Sequence, residues 1–184
     1  MEESSLKRED AFYHKLLLMA GLNDGYDEWL NFYLESENPI SNIALELYMC
    51  GYDVDKAISV LHSFCAEQFI DEAAICNRIR LFYKNAYYSG KMSKEEITLS
   101  MYQLVSNIGY PSDPDFNECI WGDMYYLDYY YGLAKDGLIP MENFDFAFFS
   151  YLDNGISIDY TRIWNQNKRG KISLFHKIKE IINR

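Results

Sequence analysis

Histidine, proline and glycine are scarce in this sequence: its 184 residues include 3 His, 4 Pro and 10 Gly. So few turn-formers favour long helices over many short strands. The histidines (His14, His62, His176) each stand alone on their segment, so there is no H-E-x-x-H and no pair at i, i+4 spacing. Neither a G-x-S-x-G elbow nor a G-x-G-x-x-G or G-x-x-x-x-G-K-[ST] phosphate loop occurs, and the glycines fall where helices should stop. The 4 cysteines (Cys50, Cys65, Cys76, Cys119) are far apart with no C-x-x-C. MEESSLKRED at the N-terminus has no apolar h-region, and no apolar run approaches the roughly 18 residues that span a bilayer. These absences predict a reduced, soluble, cytoplasmic chain with no membrane segment, no metal centre and no cofactor. They also speak against an enzyme. Nothing selects one cysteine as a nucleophile, or one acid–base pair among 28 carboxylates.

One acidic segment resembles a metal loop and fails as one. Asp113-Pro114-Asp115-Phe116-Asn117-Glu118 places acids or an amide at the first, third and fifth positions of a calcium loop. The sixth position, which needs glycine, is Glu118, and the twelfth, which needs a bidentate glutamate, is Met124. The two prolines in YPSDPDFN (110–117) make this a loop, and Asp115 is expected to cap the helix that follows.

What the chain does have is helical period, acid and aromatics. Hydrophobic residues make up 49% and charged residues 24%, the range of a globular protein. The net charge is -11 and unevenly placed: residues 161–184 carry seven bases (Arg162, Lys168, Arg169, Lys171, Lys177, Lys179, Arg184) against the single acid Glu180. The body before them is therefore strongly acidic. Such a body repels phosphate backbones, which argues against nucleic acid as the main partner and for a basic protein. The basic C-terminal segment is expected to pack against the acidic body.

Apolar residues recur at helical spacing nearly throughout. Helices are expected over 4–20, 26–36, from Ser41 to Cys50, from Asp53 to Phe64, over 71–89, from Ser93 to 108, and over 120–134. A shared connector joins several of them: GYDVDKAI (51–58), GKMSKEEI (90–97), GLIPMENF (137–144) and GKISLFHKI (170–178). In each, a Gly ends one helix in the left-handed conformation and the next helix starts within three residues. Ser93 with Glu96 forms a capping box, and Met92 can staple onto Ile97. ISIDYTRIW (156–164) alternates like a strand but has no partner strand, and is expected to be helical or irregular. The prediction is a single all-helical domain over 1–184, of about seven to nine helices, arranged as antiparallel hairpins or an orthogonal bundle.

The aromatic content is high, with 17 Tyr and 11 Phe, and WGDMYYLDYYYG (121–132) concentrates it. On a helix, Ile120, Met124, Leu127, Tyr131 and Ala134 form one apolar stripe. Tyr125, Tyr126, Tyr129 and Leu133 lie opposite, with Trp121 and Tyr130 on the flanks. A helix apolar all round is expected to be enclosed by its neighbours. A cluster of tyrosines with interspersed aspartates, however, has the composition of a protein interface. The candidate contacts are Tyr125, Tyr126, Tyr129 and Tyr130, with Asp113, Asp115, Asp123 and Asp128 supplying charge. If those tyrosines are buried, an exposed acidic cluster elsewhere inherits the role. Two other readings stand beside this one: an enzyme or small-ligand binder with a pocket lined by the 120–134 helix, and a homo-oligomer joined through the tyrosine face.

WLNFYLESENPISNIALELYMCGYD (29–53) and MYQLVSNIGYPSDPDFNECIW (101–121) resemble small all-helical bacterial proteins of the immunity type. The likeness lies in a Trp on an early helix, a Pro-Ile-Ser helix start and a Gly-Tyr-Pro acidic loop, and covers about half the chain. The resemblance implies stoichiometric binding and neutralisation of a toxin from a polymorphic or contact-dependent inhibition system. Many such toxins are basic nucleases, onto which an acidic helical cap would be steered. The resemblance assigns no role to any individual residue.

Overall fold

The computed structural model describes residues 6–37, 39–66, 69–108, 120–156 and 158, and among them every regular element is a helix. There are eight: α1 (Arg8–Met19), α2 (Tyr26–Ser36), α3 (Asn42–Cys50), α4 (Val54–Cys65), α5 (Glu72–Tyr88), α6 (Lys94–Ile108), α7 (Gly122–Lys135) and α8 (Met141–Asn154). The fold class is all-α, as the period of the sequence requires.

The helix starts are set by local chemistry. Ser41 Oγ accepts from Ala44 N (3.4 Å), Asp53 Oδ1 from Lys56 N (3.1 Å) and Asp71 Oδ1 from Ala74 N (3.0 Å), each occupying an otherwise unpaired amide of the first turn. The capping box before α6 is closed in both directions. Ser93 N donates to Glu96 Oε2 at 2.8 Å, and Glu96 N donates to Ser93 Oγ at 3.3 Å. The Ser93 N–H, and the Ser93 hydroxyl that also donates to Glu96 Oε2 at 2.8 Å, hold the Glu96 carboxyl below its ordinary pKa. The connector glycines Gly51, Gly90 and Gly137 all take positive φ. The fourth connector (170–178), the 110–117 loop and most of the 156–164 segment lie outside the described residues.

Two hydrophobic cores meet at α1. The smaller joins Leu6, Ala11 and Leu18 to Tyr26, Leu30 and Tyr33 of α2, Ala44 and Leu47 of α3, and Ala57 and Leu61 of α4. The larger joins Tyr13, Leu16, Leu17 and Ala20 to α5, α6, α7 and α8, with Trp121, Met124, Phe144 and Phe148 fully enclosed. Residues 13 to 18 of α1 are all buried, so this helix, more than the tyrosine-rich α7, is the central one. Its burial includes two ionisable groups, His14 and Lys15.

His14 is 5% exposed and stacks on Trp29 of α2 at 4.6 Å. Burial lowers its pKa to about 4; the Arg78 guanidinium pushes the same way and Asp10 opposes both. An unfolded histidine titrates near 6.5, so folding favours the neutral ring. That contribution is complete above pH 6.5 and is lost as the pH falls toward 4, because the unfolded chain takes up the proton first. Between pH 7 and pH 4.5 the loss amounts to about 2 kcal/mol. His14→Phe keeps the ring and removes the titration. Urea unfolding at the two pH values should show wild type losing about 2 kcal/mol more than the variant. Equal losses would mean that His14 is not buried neutral.

The end of α8 is fastened to α5. The Arg80 guanidinium, held by Asn77 Oδ1 at 2.8 Å, donates to Leu152 O, and Lys84 Nζ donates to Asp153 O at 3.2 Å. Cations at these carbonyls complement the negative end of the helix dipole. Gly155 follows at φ 64°, ψ 24°, and a Cβ there would sit 3.3 Å from Arg80 Nε. Both the left-handed backbone and the crowding oppose a side chain. Gly155→Ala should therefore cost about 1–2 kcal/mol in urea unfolding.

Candidate interaction surface

α7 packs between α6 and α8, and its buried stripe keeps Met124, Leu127 and Ala134 of the expected one but not Ile120 or Tyr131. The enclosed residues are Trp121, Met124, Leu127, Tyr130 and Ala134, whereas Ile120 is exposed and Tyr131 half-buried against Phe144 at 5.2 Å. The helix is apolar on nearly every face, so its own sequence leaves its rotation undetermined. The neighbours decide, by enclosing the indole, whose Nε1 donates to Glu72 Oε2 of α5 at 3.1 Å.

The tyrosines divide accordingly. Tyr130 is 7% exposed and belongs to the core, so it offers little to a partner. Tyr125 and Tyr126 are half-buried, with Tyr125 against Tyr102 of α6 at 5.0 Å. Only Tyr129, 54% exposed, projects as an interface residue should. The aspartates are also engaged within the chain. Asp123 Oδ1 accepts from Ile158 N at 3.2 Å. Burial raises the Asp128 pKa, with a hydrogen bond from Thr98 opposing and Glu95 adding to the rise. Asp113 and Asp115 lie outside the described residues. The N-cap position of α7 is Trp121, which makes no side-chain cap.

A different surface, on α2, α3 and the turn after α3, carries four of the more exposed apolar side chains. On α3, Leu45, Tyr48 and Met49 recur at i, i+3 and i+4 and so share one face, and Tyr52 stands exposed in the turn after Gly51 ends the helix. Tyr48, Met49 and Tyr52 are 64%, 77% and 104% exposed, and α2 adds Phe32 at 62%. α3 buries only Ala44, Leu47 and Cys50 on its inner side. Large apolar side chains exposed on neighbouring helices make this a candidate interaction surface.

The stretch of sequence that carries them holds charge of one sign, and the base that ends it, Lys56, lines a cleft with Glu46 of α3. Between Lys15 and Lys56 there is no Lys, Arg or His, and eight acids: Asp24, Asp27, Glu28, Glu35, Glu37, Glu46, Asp53 and Asp55. Asp24 pairs with Lys91, and Glu37 Oε2 accepts from Ser41 N at 2.9 Å. Asp27, Glu28, Glu35, Glu46 and Asp55 are exposed and form no ion pair with described residues. Glu28 and Glu35 lie four residues before and three after Phe32, on its side of α2. The long base-free run is the sequence signal for this face, and the denser tyrosines of 121–132 outweigh it when the chain is read by composition alone.

Among the described residues, no group of three or more His, Cys, Asp or Glu is placed to hold a metal ion. Cys50 and Cys65 are free and buried, and burial raises both thiols, which makes them poor nucleophiles. Two clefts walled by described residues lie against α4, and neither involves 120–134. No helix among the described residues is long and apolar enough to cross a membrane. No protein-family model, curated protein or solved structure matches the chain.

Proposed function

We propose that this chain is an acidic protein-binding module that engages a basic protein through the outer face of α2 and α3. The observation that carries the reading is the coincidence of Phe32, Tyr48, Met49 and Tyr52, all more than half exposed, with a run of eight acids and no base. Tyrosine supplies large, rigid contact area with a polar tip, and methionine adapts to an irregular partner surface. Unpaired carboxylates beside them would speed encounter with a positive surface and disfavour an acidic one. This is the chemistry an immunity protein needs to block a basic toxin inside a bacterial cell, and it is the specific form we favour.

The test begins with capture from a lysate of the source cells across a salt series, the bound protein being identified by mass. One basic protein is expected, bound one-to-one and released as salt rises. For the immunity form, expression of that protein alone should arrest growth, and co-expression of this chain should restore it. A captured protein that is acidic, or whose binding is indifferent to salt, contradicts the role assigned to charge. A basic partner that is harmless when expressed alone overturns the immunity form only.

A further inference from the structure

Where α4 crosses α1, beside the start of α5 and the end of α6, lies a cleft of about 490 Å³. Phe12, Leu16 and Met19 of α1 line one side, with Ile58 of α4 and Ile108 of α6 completing the apolar wall. Lys15 lines it too. This lysine is only 9% exposed, and its ammonium rests 4.3 Å from the centroid of the Phe12 ring. It forms no hydrogen bond or ion pair with any described residue. The contrast within the chain is sharp: Lys84, Lys91, Lys94 and Lys135 each pair with a carboxylate, although all four are more exposed. Acids outnumber bases by 28 to 17, so a counter-ion was available and is not used.

A buried cation with a ring face beside it but no hydrogen-bonded anion is costly unless an anion meets it. Burial lowers the Lys15 pKa, and the Cys65 thiol and the Glu72 carboxylate only partly offset this. The cleft is of a size that takes small molecules. Its five apolar side chains are joined by Lys15, His62, Ser59, Ser63, Asn107 and Glu72, and the Glu72 carboxylate opposes a second negative charge. A phosphate dianion fits this poorly, and a single carboxylate on an apolar chain fits it well.

We propose that the α1–α4 cleft binds a small monocarboxylate with an apolar chain, its carboxylate on Lys15 Nζ and its chain against Phe12, Leu16, Met19, Ile58 and Ile108. The site is independent of the α2–α3 face, and none of the variants that test it alters Phe32, Tyr48, Met49 or Tyr52.

Calorimetric titration of the full chain with decanoate at pH 7, below its micelle threshold, tests it. One-to-one binding is expected, with decanol at least tenfold weaker because it lacks the charge. Lys15→Met keeps the apolar stem, and it should weaken decanoate at least tenfold while leaving decanol unchanged or tighter. Ser59 is exposed at the cleft, so Ser59→Trp should block both ligands with no change in melting temperature; this keeps the test decisive if Lys15→Met fails to fold. Absent or multi-site binding of decanoate to wild type overturns the proposal. So does decanoate binding unchanged in Lys15→Met or in Ser59→Trp.

Discussion

Trp121→Ala is expected to lower the stability of the chain by about 4 kcal/mol, at the upper end of what a single core truncation costs. Trp121 is fully enclosed, and it stands where α7 meets α5. Removing the indole leaves a cavity that close-packed neighbours fill only in part, and it strips a donor from Glu72 Oε2. Domains of this size are stable by roughly 5–15 kcal/mol, so such a loss consumes a large share of the total. Trp121→Phe separates the two contributions. It keeps much of the volume and loses the hydrogen bond, and should cost about 1–2 kcal/mol. Urea unfolding followed by far-ultraviolet circular dichroism measures both. A loss below about 1 kcal/mol for the alanine variant would mean that the α5–α7 junction is not packed as described.

The second large effect concerns binding. Once the partner is purified, the Tyr48→Ala, Tyr52→Ala double variant should bind it at least about a hundredfold more weakly, as expected when aromatic anchors at an interface are truncated. Its melting temperature should stay close to wild type, because both residues are more than half exposed and contribute little to the core. Tyr129→Ala is the informative control. It removes the most exposed tyrosine of α7, and the affinity should change by less than about threefold. The reverse pattern would return the binding role to the α7 face.

Much of the fold was legible in the sequence because the signals that start and stop helices are local. Ser41, Asp53 and the Ser93–Glu96 box each make the cap bond that their spacing requires, and α2 runs over Tyr26–Ser36 as its period implies. Rotation and enclosure were not legible, because they are decided between helices. α7 carries large residues on every side, so its stripe shifted to include Trp121 and Tyr130 and to leave out Ile120. α1 has Arg8, Glu9, Asp10, His14 and Lys15 among its residues and does not read as a central helix. It becomes one because two separate cores form against its opposite sides. α3 is only 9 residues long and apolar almost throughout, and so short a segment does not disclose which face stays outside. For the candidate surface, which tyrosines stay exposed was not legible, since the α7 tyrosines and the α3 tyrosines differ mainly in what covers them.

Photo-crosslinking from within the face decides whether a basic protein docks on α2 and α3. A benzoylphenylalanine placed at Met49, 77% exposed on α3, and another at Tyr129 as the control, would be irradiated in lysate of the source cells at low and high salt. A single adduct is expected from position 49, with one basic protein, reduced at high salt, and none from position 129. An adduct from position 129 alone, an acidic partner at position 49, or a second copy of this chain at position 49 would contradict the docking of a basic protein on this face.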